Sequence, residues 1–300
     1  MLTYNREKLV GRAVESVLSQ TFTDFEFLIV NNGSTDHSGI IVDTYEKMDS
    51  RIEVIHQLRG NIGSGRNTGL DAAVGKYIAF IDDDDWCEPD FLEFLYYLTR
   101  ENKADVSICG SWDKVYNKKM VMPAEDALLE LLLGKYYSNH FPTKMFKRKL
   151  AKNLRFPEEG KYDDIASIYK LLAIADRVAY HGLPKYTFEK HPGNNSAWTT
   201  DHRLITGDIL NEYLTVFRER TERLTAAFPL KASDWRYFMW SFMISMVEKI
   251  NRLEIKGCEK QLDYMIRELI TNQKEFYSGG RTESLERLWM EQYVLEKMVG

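Results

Sequence analysis

The first 110 residues alternate between two hydrophobic periodicities, and this alternation constrains the fold more than any other feature of the chain. Residues 9–18 place apolar side chains at helical spacing, and residues 25–30 have the pattern of a buried strand. Further strands are predicted at residues 52–56, 77–81 and 105–109, with helices between them. Because strand–helix alternation favours parallel strands joined by crossover helices, we predict an α/β fold with a mainly parallel sheet flanked by helices.

Polar side chains follow two of these predicted strands at the point where each strand ends. Asn31 and Asn32 come directly after residues 25–30, and four aspartates, Asp82 to Asp85, come directly after residues 77–81. Binding sites in sheets of this kind lie at the carboxyl ends of the strands. The two turns are therefore the predicted place of a functional site.

The run of four aspartates has two interpretations. Like charges a few ångströms apart repel each other, and a bound Mg²⁺ or Mn²⁺ would relieve the repulsion because these ions prefer carboxylate oxygens. The alternative is a solvated acidic turn at the start of the helix predicted from Pro89. The position at the end of a buried strand favours the metal site.

The glycine-rich segment from Gly60 to Asn67 matches neither of two phosphate-binding motifs. Arg66 and Asn67 stand where a P-loop requires lysine and a hydroxyl residue, and the glycine spacing does not fit the dinucleotide fingerprint. A turn that leads into a helix remains. Arg66 at the start of that helix is a candidate phosphate or ribose contact, with a plain helix start as the alternative.

Charge and cysteine content narrow the class of protein. The net charge of −5 and the lack of a long basic run argue against nucleic-acid binding. The three cysteines are widely spaced and suggest reduced thiols in a cytoplasmic protein. The apolar run from Tyr237 to Val247 is shorter than the roughly 20 residues that span a bilayer.

Residues 201–300 lack a strand pattern and predict three or four helices. One helix carries a stripe of large apolar side chains, namely Trp235, Phe238, Met239, Phe242 and Met246. Such a stripe most often packs against neighbouring helices. A peripheral membrane contact and a homodimer contact are the other uses that the stripe allows.

Five blocks taken together resemble family 2 glycosyltransferases. The blocks are residues 3–6, 16–22, 30–36, 65–70 and 77–86, and they occur in the order and spacing of that family. The resemblance implies a GT-A fold over residues 1–200, with a nucleotide-binding half at 1–110 and an acceptor half at 111–200. It also implies inverting transfer from a nucleotide-diphospho-sugar, expected to be a UDP-sugar, with residues 201–300 as a helical extension.

The resemblance assigns the donor side of the site. Asp82 and Asp84 correspond to the DxD motif, with Asp82 near the ribose or metal and Asp84 as the main ligand of Mn²⁺ or Mg²⁺. Asp83 and Asp85 offer the same spacing, so the register stays open by one residue. Thr3, Tyr4 and Asn5 are expected around the base, and Asn32 stands where the family usually places a uracil-reading aspartate. Arg66 and Lys144 are the candidate diphosphate contacts.

The acceptor side follows from the same resemblance. The family carries a Glu-Asp pair before a helix, and Asp163-Asp164 fits it with Asp164 as general base; helix capping is the alternative for Asp164. Trp86 is the expected acceptor platform. His191 is a candidate phosphate or metal contact.

One departure and two other functions stay open. The chain begins at the nucleotide-binding turn, so we expect the first strand of the sheet to be absent. A regulatory nucleotide-sugar-binding protein and a sugar nucleotidyltransferase are the alternatives to a transferase. For a transferase we expect a glycan or lipid-linked acceptor, at the inner face of the membrane.

Overall fold

The structure is a computed structural model that describes residues 1–190 and 197–296. The chain divides into two compact units, residues 1–190 and residues 191–300. His191, the candidate phosphate or metal contact, lies outside the described residues. All the other candidate site residues lie in the first unit.

A three-stranded parallel sheet organises the start of the chain. It consists of β1 (Leu2–Thr3), β2 (Phe27–Asn32) and β3 (Ile52–Gln57), in that spatial order. The first strand, which we expected to be absent, is present as two residues that pair with the end of β2. Leu2 also forms a parallel bridge with Asp82, so the acidic turn lies beside β1.

Four helices connect the strands of the first half at the predicted places. They are α1 (Val10–Leu18), α2 (Ser38–Met48), α3 (Ile62–Ala72) and α4 (Phe91–Glu101). The apolar stripe of α1 is buried together with side chains from β2 and α4 in one hydrophobic cluster. This burial is the reason that the helical periodicity of residues 9–18 predicted the helix correctly.

The second sheet is mixed and has six strands. They are β4 (Tyr77–Ala79), β5 (Trp86–Cys87), β6 (Val106–Ser111), β7 (Lys119–Met122), β8 (Lys144–Lys147) and β9 (Val178–Thr187). The order is β4-β8-β6-β9-β5, with β7 also paired to β9. Among the described residues of this sheet, β6 and β9 pair in parallel and the other strand pairs are antiparallel. The predicted parallel pairing therefore holds throughout the first sheet and in one pair of the second.

Two helices complete the first unit, α5 (Ala124–Leu133) and α6 (Asp163–Ala173). A helix after the Asp163–Asp164 pair was predicted. In contrast, β8 occupies a basic stretch for which the sequence predicted no strand. Its central residues are buried between β4 and β6, and its backbone pairs with both neighbours.

Helix α3 begins inside the segment that we predicted to be a glycine-rich turn. Asn61 caps the helix, since its side chain accepts a hydrogen bond from the Ser64 N–H group. Gly63 and Gly65 are therefore helical, and space rather than backbone freedom explains them. A Cβ atom on Gly63 would lie 1.9 Å from the Pro157 carbonyl oxygen, and one on Gly65 would lie 2.2 Å from Leu2.

The second unit is helical throughout its described residues, 197–296. Its α-helices are α7 (Gly207–Ala227), α8 (Ala232–Arg252), α9 (Glu259–Thr271), α10 (Gln273–Ser278) and α11 (Ser284–Met290). The stripe on α8 packs within this unit: Trp235 and Met246 are buried, and the Phe242 ring contacts Tyr213 and Phe217 of α7.

The three cysteines, Cys87, Cys109 and Cys258, are buried free thiols. None of the helices in the described part of the chain is both long enough and apolar enough for a bilayer crossing.

We predict that Gly63→Ala destabilises the first unit by about 1–3 kcal/mol, because the added methyl group overlaps the Pro157 backbone. Urea unfolding of Gly63→Ala and of a control variant measures the change in the free energy of unfolding. Gly69→Ala in the same helix is the matched control, since its Cβ would meet only Val30 at 3.7 Å. The control is expected to be neutral or to gain up to about 1 kcal/mol from helix propensity. Equal stability of the two variants would contradict the close-approach explanation.

Candidate active site

The acidic turn after β4 alternates between buried and partly exposed side chains. Asp83 and Asp85 are buried, whereas the side chains of Asp82 and Asp84 are 34% and 18% exposed. Of the two registers that the sequence allowed, Asp82 with Asp84 is therefore the accessible pair.

The two buried aspartates hold the turn in place. Asp85 accepts hydrogen bonds from the Tyr186 hydroxyl at 2.8 Å and from the Glu189 N–H group at 2.8 Å. Asp83 accepts one from the Tyr4 N–H group at 3.2 Å, which ties the turn to the end of β1. The conformation of the turn thus depends on β1 and on the end of β9.

Negative charge is concentrated in this turn. Burial raises the pKa of Asp83 to about 7 and that of Asp85 to about 8, and neighbouring aspartates add to both shifts. Burial and the charges of Asp164 and Asp84 raise the pKa of Asp82, although Arg66 opposes the shift. A cation at this place would lower the cost of ionising the cluster.

The donor set fits a hard cation that is bound partly by its substrate. Within residues 1–190 and 197–296, no group of three or more His, Cys, Asp and Glu side chains is arranged to hold a metal ion alone. Mg²⁺ and similar ions are commonly held by one or two carboxylates, with substrate phosphates as the remaining ligands. Asp82 and Asp84, the accessible pair, match that incomplete set.

Arg66 connects the acidic turn to the start of α6. Its Nη2 donates to Asp82 at 3.2 Å, and its Nη1 donates to Asp163 at 2.8 Å and also to Asp164. We predicted a phosphate or ribose contact for this side chain. In the structure its guanidinium instead bridges three carboxylates on two separate segments.

Aromatic rings surround the Arg66 guanidinium. The ring centroids of Phe80, Phe141 and Phe156 lie 5.6, 5.8 and 5.4 Å from its central carbon. Arg66 is buried, and the three carboxylates raise its pKa well above the usual value despite the burial. An apolar wall on one side and carboxylates on the other leave the guanidinium one orientation.

The Asp163–Asp164 pair is split electrostatically. Burial raises the pKa of Asp163 to about 7. Burial also opposes ionisation of Asp164, but Arg66 and His140 outweigh it and hold the pKa of Asp164 below its usual range. Two adjacent carboxylates with pKa values pushed apart are typical of acid–base sites. Asp164 is the member that is ionised at neutral pH.

The residues predicted to contact the nucleotide base lie at the ends of β1 and β2. Thr3 is fully buried. Asn5 adopts a left-handed conformation with φ of 50°, and its side-chain oxygen accepts a hydrogen bond from the Thr35 N–H group at 2.8 Å. The Tyr4 ring lies under the Arg59 guanidinium, 3.1 Å from centroid to central carbon. Tyr4 therefore already has a cationic stacking partner, which the sequence did not predict.

The Asn32 amide is saturated by the protein. Its oxygen accepts from the Gln57 side chain at 2.8 Å and from the Gly60 N–H group at 2.9 Å. Its NH₂ group donates to the carbonyl oxygens of Gly60 and Asn61, at 3.0 and 3.4 Å. In this arrangement Asn32 holds the loop after β3 and has no remaining donor or acceptor for a base.

Lys144, predicted as a diphosphate contact, is fully buried in β8. Its ammonium group donates to the backbone carbonyls of Ser138, at 2.9 Å, and His140. Burial lowers its pKa to about 8. The structure gives no support to a diphosphate contact by Lys144, because its donors face the protein interior.

Trp86, the predicted acceptor platform, is partly covered. The Arg12 guanidinium lies 4.1 Å from its ring centroid, donates to the Asp84 carbonyl oxygen at 2.7 Å and pairs with Glu189 at 2.9 Å. The Trp86 ring is thus stacked with Arg12 rather than bare.

Sequence reasoning missed three residues of this site, namely Arg12, Arg59 and His140. Arg59 and His140 lie outside the five family blocks, and each acquires its place through a contact with a predicted residue. Arg12 faces away from the buried stripe of α1, so its exposure was predictable, but its contact with Trp86 was not.

The fold is that of a known class. Over 98% of its length the chain resembles residues 1–349 of Staphylococcus aureus TarS in complex with UDP-GlcNAc, with a TM-score of 0.68, 18% identity and 90% of that structure covered. The likeness establishes a GT-A fold with a helical C-terminal region.

Sequence comparison identifies the family. The family model for glycosyl transferase family 2 matches residues 1–159, and the chain belongs to that family. EpsH of Bacillus subtilis, named as a glycosyltransferase, is 33% identical over 63% of this chain and 59% of its own length. A GalNAc(5)-diNAcBac-PP-undecaprenol beta-1,3-glucosyltransferase of Campylobacter jejuni is 31% identical over 52% of this chain and 53% of its own length. The chain thus spans between half and two thirds of these relatives. Both relatives are named as glycosyltransferases, not as sugar nucleotidyltransferases, which were the second alternative.

We predict that Lys144 makes stability rise with pH between about 8 and 10.5. Because its pKa in the folded protein lies below that in the unfolded chain, the unfolded state binds more protons in this range. The free energy of unfolding should rise by roughly 3 kcal/mol at most. Urea unfolding at pH 7.5 and 10 should show this rise in wild type and in the control Lys47→Met, whose side chain is exposed, but not in Lys144→Met. An undiminished rise in Lys144→Met would contradict the prediction.

Proposed function

We propose that the protein transfers a sugar from a nucleotide-diphospho-sugar, a UDP-sugar, to an acceptor hydroxyl with inversion at the anomeric carbon. The observation that carries the proposal is the Arg66 bridge. It places Asp82, on the donor side, and Asp164, the candidate base, within hydrogen-bond distance of one guanidinium. Donor and base groups are thereby close together at the carboxyl ends of the strands.

The donor binds, in this proposal, across the ends of β1, β2 and β4. The nucleotide base lies against Thr3, Tyr4 and Asn5, and Arg59 is a second stacking partner. Since the Asn32 amide is saturated, it shapes the base pocket by holding the loop at Gly60. The base preference of this chain then depends on backbone groups and pocket shape more than on a carboxylate.

Asp82 and Asp84 would hold a divalent cation, Mn²⁺ or Mg²⁺, together with the diphosphate. When bound, such an ion stabilises negative charge on the diphosphate leaving group. Asp83 and Asp85 keep the turn in shape through Tyr4 and Tyr186. The alternating burial of the turn supports this division of roles.

Asp164 accepts the proton of the acceptor hydroxyl as its oxygen attacks the anomeric carbon, opposite the leaving diphosphate. The carboxylate must be ionised to do so. Arg66 and His140 keep it ionised despite burial. Asp163 shares Arg66 and sets the position of the guanidinium, and Trp86 stacked with Arg12 forms one wall for the acceptor sugar.

The acceptor class is proposed from a relative. The name of the Campylobacter protein describes a lipid-linked oligosaccharide acceptor. We propose that this protein also uses a glycan or lipid-linked sugar acceptor, which is compatible with activity at the inner membrane surface.

We expect Asp164→Asn to lower kcat by about 10²–10⁴-fold, because the variant retains the size of the side chain but loses the base. Donor affinity, measured by calorimetry with UDP, should change little. Asp71→Asn is the control, since Asp71 is an exposed aspartate whose ion-pair partner is Arg155. Full activity of Asp164→Asn would exclude this residue as the base.

We expect Mn²⁺ to increase the thermal stabilisation of the protein by a UDP-sugar, and EDTA to abolish the increase, because the ion joins the diphosphate to the protein. A panel of nucleotide sugars, each melted with and without Mn²⁺, identifies the donor. In Asp84→Asn the Mn²⁺-dependent part should be lost. The Asp71→Asn control should retain it. A Mn²⁺ effect of equal size in Asp84→Asn would contradict the assignment of this ligand.

A further inference from the structure

The candidate base has a second partner besides Arg66. Nδ1 of His140 lies 3.4 Å from Oδ2 of Asp164, while Arg66 Nη1 donates to Oδ1. Each carboxylate oxygen therefore has its own partner. His140 comes from the segment between α5 and β8, which contributes none of the family blocks in the sequence.

An ionised carboxylate can only accept hydrogen bonds, so a protonated Nδ1 of His140 is the group that could donate to Oδ2 of Asp164. The His140 side chain is 45% exposed, and that of Asp164 is 18% exposed.

Two contacts hold His140 in place. The buried ammonium group of Lys144 donates to the His140 carbonyl oxygen and, at 2.9 Å, to that of Ser138. The imidazole ring packs against Phe188, with 5.1 Å between the ring centroids. These contacts fix the backbone and the ring of His140 separately. The buried Lys144 side chain thus anchors the backbone of His140.

The two oxygens of the Asp164 carboxylate have different cationic neighbours. Arg66 contacts Oδ1 and also donates to Asp163 and Asp82, while His140 lies at Oδ2. Arg66 divides its donors among three carboxylates, so it cannot by itself determine the rotation of the Asp164 carboxylate. A donor at the second oxygen supplies the missing constraint.

We propose that His140 is a positioning residue for Asp164: its Nδ1–H group holds Oδ2 so that the carboxylate faces the acceptor hydroxyl, and Lys144 holds the backbone from which His140 projects. The inference rests on the proposed role of Asp164 as general base. It assigns to His140 an effect on turnover and none on donor binding.

Three substitutions at position 140 separate hydrogen bonding from packing. His140→Asn places an amide NH₂ group near the position of Nδ1 and can still donate to Asp164. His140→Phe retains a ring against Phe188 but has no donor, and His140→Ala loses both. Melting temperatures and UDP affinity by calorimetry verify that each variant is folded and binds donor.

We expect kcat to fall roughly 10- to 100-fold in His140→Ala and His140→Phe, the effect of losing a hydrogen bond to a charged group. In His140→Asn it should stay within about threefold of wild type. The acidic limb of the kcat–pH profile should move to higher pH in the Ala and Phe variants, because the carboxylate loses a donor that favours its ionised form, and should move less in the Asn variant.

The outcomes are distinct. Wild-type turnover in His140→Phe, or an equal loss in all three variants, overturns the positioning role and leaves the proposed function intact. Absence of turnover by wild type with every nucleotide sugar, despite donor binding, overturns the proposed function and this inference with it. Full rescue by Asn alone supports both.

Discussion

The buried guanidinium of Arg66 is the interaction on which the site depends. It joins Asp82, in the turn after β4, to Asp163 and Asp164, at the start of α6. Removing one member of a buried ion network leaves the others unpaired, at a cost of about 3–5 kcal/mol. Since the network spans both halves of the first unit, the same contacts also fix the distance between the acidic turn and the start of α6.

Burial separates the four aspartates of the acidic turn into two pairs. Asp83 and Asp85 accept hydrogen bonds from the protein and hold the turn against Tyr4 and Tyr186, whereas Asp82 and Asp84 remain partly exposed. The buried pair is costly to ionise, as the raised pKa values show. A cation bound by Asp82 and Asp84 would lower the cost of ionising this pair.

Much of the fold was predictable because local pattern and burial agree. The stripe of α1 and the strands β2 and β3 are each specified by residues close together in sequence. The strand β8 was not predictable, since its basic sequence forms a strand only between β4 and β6. Gly63 suggested a turn, but it lies within helix α3, and glycine is required there because Pro157, far along the chain, leaves no room for a side chain.

The sequence by itself determined the order of strands and helices in the first half, the acidic turn at the end of a strand and the Asp163–Asp164 pair before a helix. Only the tertiary structure decided that Asp82 and Asp84 are the accessible aspartates, that Arg66 binds carboxylates and that Lys144 is buried behind His140. The physical reason is range. Periodicity records which face of one segment is apolar, but the partner of a charged side chain comes from another segment, and its identity depends on how the two pack together.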